Sequence, residues 1–274
     1  MNKLLISCLS IMLLSSAAFA NEVSKEEAEK AQAEKSAATT QAATPESADK
    51  AKDEATDYKA AAKAQIETYE NFVKQVADFE KSDKFNPKLL EEALPLEINM
   101  GDANAPIKIV EYASLGCIHC KEFHTTIFYK LKKDFIDTGK VQFKFRQYPL
   151  NAPALKAAMV MGCVAEADRP AYVGAMFDSQ AQWAYSKSEA DLKDKLKTMS
   201  KIVGVDSDKF EKCYSDETVQ AQVVANMKRA YDELMVTSTP GIFIDGKRFF
   251  DSREYETVAK HISNLIAEKE AAKK

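Results

Sequence analysis

Cys117 and Cys120 stand three positions apart, with Ile118 and His119 between them, where an apolar extended run gives way to a helical pattern. At a helix start, two thiols with this spacing can close a small ring without distorting the fold. The first thiol meets the partial positive charge of the helix N-terminus, which favours thiolate over thiol. His119 adds a polar or cationic neighbour. A pair whose reduced form is stabilised in this way readily passes its disulfide, once oxidised, to another protein. Zinc also uses such pairs, but it needs a second close pair or histidine ligands. Cys163 and Cys213 stand alone, 50 positions apart, so redox chemistry is expected and a metal is not.

Six residues before Cys117, Glu111 shares a strand face with Ile107 and Ile109. An acid on a core face at that distance is placed beneath the thiols, where it can take or give a proton as they change state. Lys144 and Arg146 share a face of a later strand and are candidates for its counter-charge, with exposed edge charge as the alternative. Thr239-Pro240 follows a helix and opens a hairpin, a junction at which an X-Pro bond can be cis and leave backbone free to pair with an extended peptide. A bridge between Cys163 and Cys213 would close a loop worth roughly 4 kcal/mol by chain entropy. Two buried thiols or a second redox pair are the alternatives. The structural bridge is the reading taken, because the two lack the close spacing of an exchanging pair. Trp183, His124 and His261 read as core residues, none with a metal-ligand neighbour in sequence.

The elements that position these groups follow from periodicity. Pro106–Ala113 is a strand, Ser114-Leu115-Gly116 a turn, and a helix then runs through Phe123, Ile127, Leu131 and Phe135. Val141–Tyr148 alternates as a second strand. Residues 153–232 carry helical periodicity. Gly241–Asp245 and Arg248–Phe250 flank the turn Asp245-Gly246-Lys247 as a hairpin. A closing helix buries Tyr255, Val258, Ile262, Leu265 and Ile266. The order is βαβ, a helical insertion over 153–232, then ββα, in an α/β fold with its first part over 96–152 and its second over 233–270.

The 274 residues carry a net charge of −4, which argues against nucleic acid as a partner. All eight glycines lie at or after Gly101, so the chain is in two unlike parts. Residues 1–20 have Lys3, a short apolar run and an Ala18-Phe19-Ala20 end, which reads as a secretory signal cleaved after Ala20. Export places the cysteines where disulfides persist. Residues 21–65 are an Ala/Lys/Glu-rich spacer with too few apolar side chains to form a globule, disordered or fluctuating as a helix. Residues 66–95 are an amphipathic helical segment. Its stripe of Ala62, Ile66, Tyr69, Val73 and Val76, flanked by Phe72 and Phe79, is expected either to dock on the chain's own domain or to pair residues 62–80 with a second copy. A short helix over Pro87–Ala93 follows.

These residues resemble the DsbA family of exported thiol–disulfide oxidoreductases. Gly101-Asp102-Ala103-Asn104-Ala105-Pro106, then the run from Ile109 to Cys120 (IVEYASLGCIHC), is similar to that family's first strand and active site. Phe145-Arg146-Gln147-Tyr148-Pro149-Leu150 and Ser238-Thr239-Pro240-Gly241 are similar to its second strand and cis-proline loop. The resemblance covers 98–268 and implies a thioredoxin fold with an inserted helical domain. It makes Cys117 the exposed nucleophile, Cys120 its buried partner, Glu111 the buried acid and Pro240 the cis-proline of a substrate groove lined with Thr239. Members with cysteines placed like Cys163 and Cys213 usually bridge them. The expected function is a periplasmic oxidase of protein thiols, with no cofactor beyond the Cys117–Cys120 disulfide. Its expected partners are reduced or unfolded exported proteins and a membrane or soluble thiol redox partner. The alternatives are an oligomeric disulfide isomerase using the same pair, and a non-catalytic exported binding protein with the pair as a staple.

Overall fold

Strand β2 (Ile107–Ala113) has an almost continuously apolar sequence, IKIVEYA, and every residue but Lys108 is buried. A strand of that kind needs cover on both faces and a partner on both edges. In the computed structural model, which describes residues 63–64, 67–251 and 254–273, β2 lies at the centre of a five-stranded sheet ordered β1-β3-β2-β4-β5. β3 (Val141–Gln147) runs parallel to β2, with Glu111 opposite Phe145. β4 (Gly241–Ile244) and β1 (Ile98–Met100) pair antiparallel to β2 and β3 respectively. β5 (Lys247–Phe249) closes the edge as a hairpin on β4. Asp245 and Gly246, both at positive φ, form its two-residue turn.

This is the thioredoxin fold with a helical insertion. The insertion runs from α4 (Ala152–Met161) through α5 (Arg169–Asp178), α6 (Gln180–Trp183), α7 (Glu189–Ser200) and α8 (Ser207–Tyr214) to α9 (Glu217–Leu234). It follows α1 (residues 69–79), α2 (Lys88–Glu91) and α3, a continuous helix that is α-helical over Ile118–Phe123, π-helical over His124–Phe128, α-helical over Tyr129–Leu131 and π-helical over Lys132–Ile136. α10 (Tyr255–Ala271) ends the fold. Cys163 and Cys213 are bridged, with Cα atoms 6.0 Å apart, so the end of α4 is tied to α8. Trp183 is fully buried, and His261 is half-buried with its ring tilted over Phe249 at 4.9 Å.

Two cores divide along the sheet. One face packs Ile107, Ile109, Phe143, Phe145, Ile242 and Ile244 against α3, α10 and the insertion. The other packs Val110, Tyr112 and Phe243 against Leu89 and Leu90 of α2 and Ala230 and Leu234 of α9. The first glycine has a steric reason. Gly101 sits at φ +86°, and a Cβ there would lie 2.4 Å from the Val141 carbonyl oxygen.

The sequence pattern missed β1, a three-residue strand with one fully buried side chain, too short to show alternation. The amphipathic stripe docks on the chain's own domain: Val76 is buried, the Phe79 ring meets Phe85 at 6.2 Å, and Tyr69 and Phe72 meet Phe250 at 6.4 and 6.0 Å. Ala62, Gln65 and Ile66 lie outside the described residues, as do residues 1–20, which the sequence reads as a secretory signal, and residues 21–61 of the spacer. Among the described residues no helix is long and apolar enough to cross a membrane.

Both readings of Lys144 and Arg146, counter-charge for Glu111 and exposed edge charge, are overturned. In the parallel register Glu111 lies opposite Phe145, so the residues on either side of Phe145 point to the other face. There Arg146 Nε donates to Glu97 at 2.5 Å and Lys144 Nζ lies 3.6 Å from the same carboxylate. Neither is an exposed edge charge, because β3 is an inner strand and both side chains are buried.

Candidate functional site

Cys117 is the N-cap of α3. Its extended backbone (φ −85°, ψ 124°) turns the chain out of the β2–α3 loop and into the helix. Its own N–H donates to Ser114 O at 3.0 Å, and its carbonyl accepts from Lys121 N at 3.1 Å. The insertion clamps this loop from the side: buried Gln180 donates from Nε2 to Leu115 O at 2.7 Å and to Cys117 O at 2.9 Å. No sequence signal marked Gln180, an amide in a helical stretch with no motif around it.

The two thiols are unbridged and differ sharply. Cys117 is partly exposed and Cys120 fully buried. A hydrogen bond from Cys120 is the main reason that the Cys117 thiol falls from 9.0 to about 5, and burial opposes the fall. The Thr239 contact and the backbone N–H groups of Cys120 and His119 add to it. Burial pushes Cys120 well above the ordinary thiol range, helped by its hydrogen bond to Cys117 and by the negative charge of Glu111. Cys117 Sγ also lies 3.5 Å from the Thr239 carbonyl oxygen, next to the cis Thr239–Pro240 bond. His119 acts on the thiol through its backbone; its imidazole is exposed, with Nδ1 3.1 Å from Glu122.

Glu111 is fully buried on the same sheet face as Ile109, and its charge reaches Cys120. Its neighbour is His124, whose Nε2 lies 3.4 Å from Oε2, close enough for a charge pair though not aligned as a hydrogen bond. His124 is buried as expected of a core residue, stacked on Phe128 at 4.4 Å and tilted against Phe177 at 4.6 Å. Its pairing with Glu111 was not expected, but the signal was present: His124 is four positions after Cys120, on the same helix face. Replacing Glu111 with Gln removes the buried negative charge, so the Cys120 pKa should fall toward that of an ordinary thiol. Ultraviolet thiolate absorbance of the reduced variant against pH checks this; an unmoved Cys120 titration would separate Glu111 from the pair.

A groove of about 540 Å³ runs past Thr239, whose carbonyl contacts Cys117 Sγ. It is lined by Thr239 and Pro240, by His119 and Phe123 of α3, by Tyr69 and Phe72 of α1, and by Arg248 and Phe250 at the hairpin. Among the described residues no group of three or more His, Cys, Asp or Glu side chains could hold a metal ion.

A thioredoxin family model matches residues 94–264. A Rickettsia prowazekii (strain Madrid E) protein with the provisional name protein-disulfide oxidoreductase is 27% identical over 150 residues, 54% of this chain and 53% of its own length. The chain thus spans about half the length of that curated relative. The crystal structure of Wolbachia pipientis alpha-DsbA1 shares 32% identity over 69% of this chain and 99% of that one, with a TM-score of 0.61. A protein-disulfide isomerase from Novosphingobium aromaticivorans, 21% identical over 63% of this chain and 99% of its own, shares the fold at a TM-score of 0.58. With its thiol pair at the start of α3 and its helical insertion, the chain belongs to the DsbA family of thioredoxin-fold proteins.

Proposed function

We propose that this protein is an exported, periplasmic thiol–disulfide oxidoreductase that oxidises the cysteines of other exported proteins through Cys117 and Cys120. The observation that carries this reading is the asymmetry of the pair: a partly exposed thiol at about 5 beside a fully buried one held well above 9.0. Such a pair has one atom to attack and one that leaves inward.

In the oxidised protein, a substrate thiolate attacks Sγ of Cys117; the Cys117–Cys120 bond breaks and its electron pair goes to Cys120. A proton is needed there, and Glu111 with His124 is positioned to hold and pass it. A cleft of about 420 Å³ between α3 and α5 reaches His124 and supplies a route toward solvent. A second substrate thiolate then attacks the substrate sulfur of the mixed disulfide, and Cys117 leaves as a stable thiolate. The substrate loses two electrons and two protons. The protein is left reduced and needs a thiol redox partner to restore its disulfide.

The test is the oxidised protein mixed with reduced, unfolded ribonuclease. Recovery of ribonuclease activity from the reduced form, without repair of the scrambled form, is the expected result. Repair of the scrambled form by the reduced protein alone would make it an isomerase. Failure in both would leave a binding protein.

A further inference from the structure

The groove beside Thr239 holds one charge that forms no ion pair among the described residues. Arg248 lies on β5 beside Thr239 and Pro240 along the groove wall. Its side chain is largely buried, and Nε and Nη1 have no hydrogen-bond partner among the described residues. The guanidinium is packed between two aromatic rings, 5.2 Å from the Phe243 centroid and 5.8 Å from that of Phe250. Glu80, just after α1, accepts from the Arg248 backbone N–H at 2.8 Å; its charge favours the guanidinium, but it forms no ion pair with it among the described residues. Of the other titratable groups on this groove, His119 and Glu122 face each other, and Tyr69 meets Phe250. Gly241 makes room for the arrangement, since a Cβ there would lie 3.0 Å from Arg248 Nη1.

A buried guanidinium without a carboxylate is costly. The rings return part of that cost. Burial without an ion pair also pulls the group down to about 10, the opposite of Arg229, which is held by Glu92 and Glu233. Thus Arg229 is anchored within the fold by Glu92 and Glu233, whereas Arg248 lines the groove beside Thr239 with no carboxylate paired to it among the described residues; Nε and Nη1 have no exposed surface, so Nη2 is the donor left for a ligand. A guanidinium N–H that carries a full charge and lacks an internal partner suits a carboxylate best among protein side chains.

We propose that Arg248 is a specificity-determining subsite that takes the carboxylate of an Asp or Glu flanking the reacting cysteine of a substrate chain. This rests on the reading of the groove as the place where substrate thiols arrive. Acidic segments react preferentially, and the wall that sets this preference is built jointly by the β4–β5 hairpin and by α1, which supplies Tyr69 and Phe72.

The experiment uses the full chain, oxidised, and N-acetylated, C-amidated peptides with one cysteine. Glu, Gln or Lys is placed one or two positions before or after it. At low salt, the rate of mixed-disulfide formation with the best-placed Glu peptide should exceed that of its Gln twin by about tenfold, the worth of a charge-assisted hydrogen bond. The Lys peptide should be slowest, and salt should shrink the gap. In Arg248→Met the Glu-to-Gln ratio should fall to about one, while Arg248→Lys, which keeps the charge and loses the planar guanidinium, should retain part of it. Because each ratio is taken within one protein, a general loss of activity does not imitate the result. Equal rates for Glu and Gln in the unaltered protein, or a ratio that survives in Arg248→Met, overturn the subsite. A protein that reacts with none of the peptides overturns the oxidoreductase reading instead.

Discussion

Alkylation of Cys117 in the reduced protein should proceed at a nearly constant rate from about pH 6 to pH 8, a range over which an ordinary thiol near 8.5 changes by about a hundredfold. Below about pH 5 the rate should fall tenfold per unit, because Cys117 is held at about 5. Cys120 should remain unlabelled for at least a hundred times longer. Two effects compete there. At pH 7 the thiolate fraction favours Cys117 by about a hundredfold or more, but a thiolate of low pKa is intrinsically less nucleophilic, and that returns most of the advantage. Burial decides the outcome, since Cys120 has no exposed surface for a reagent to reach. Mass spectrometry of the labelled peptides against pH checks both claims, and a Cys117 rate that climbs tenfold per unit through pH 7 would falsify them.

The same shift fixes a redox consequence. Because the Cys117 thiolate exists only after reduction, a depressed pKa stabilises the reduced, folded protein. That stabilisation is complete above 9.0, the unperturbed value, shrinks as pH falls, and is gone once pH passes below about 5. At pH 7 it amounts to at most about 2.7 kcal/mol, or roughly 60 mV toward the oxidising side, reduced by whatever solvent reaches the partly exposed sulfur. Reduction also takes up two protons below about pH 5 and one above it, since Cys120 stays protonated. The potential should therefore slope by about 59 mV per pH unit below 5 and by about 30 mV above.

What the sequence made legible was whatever is local. The spacing of Cys117 and Cys120 at a strand–helix junction is read from four residues. Glu111 was placed on the core face by alternation along one strand. Thr239-Pro240 was marked by the chemistry of a single dipeptide. What it hid depends on contacts across the chain. Gln180 reaches the Cys117 loop across 63 positions, and Arg146 is tied to Glu97 across 49. His124 lay one helical turn from Cys120, but its partner comes from β2. Arg248 looked like one more hairpin charge, because an arginine that lacks a partner leaves no pattern in sequence.

Arg146, buried rather than exposed, gives the sharpest stability test. Arg146 donates to Glu97, to the Tyr112 hydroxyl at 2.7 Å, and to the carbonyls of Leu89, Leu90 and Glu92 at 2.8, 3.2 and 2.7 Å. One buried side chain thus satisfies the end of α2 and neutralises a buried acid. Arg146→Leu leaves the Glu97 charge and three carbonyls facing a low-dielectric interior, with Lys144 at 3.6 Å as the remaining counter-charge. Unfolding by urea should show a loss of about 3–5 kcal/mol, well beyond that for one hydrogen bond. Adding Glu97→Gln removes the stranded charge but not the stranded carbonyls, so the double variant should recover only part of the loss. A double variant as stable as the parent would show that the cluster holds nothing together. Because Arg146 points away from the Glu111 face, the surviving folded Arg146→Leu protein should keep the Cys117 labelling midpoint near 5. A midpoint displaced by a unit or more would make Arg146 a counter-charge for Glu111, one of the two roles its strand position allowed.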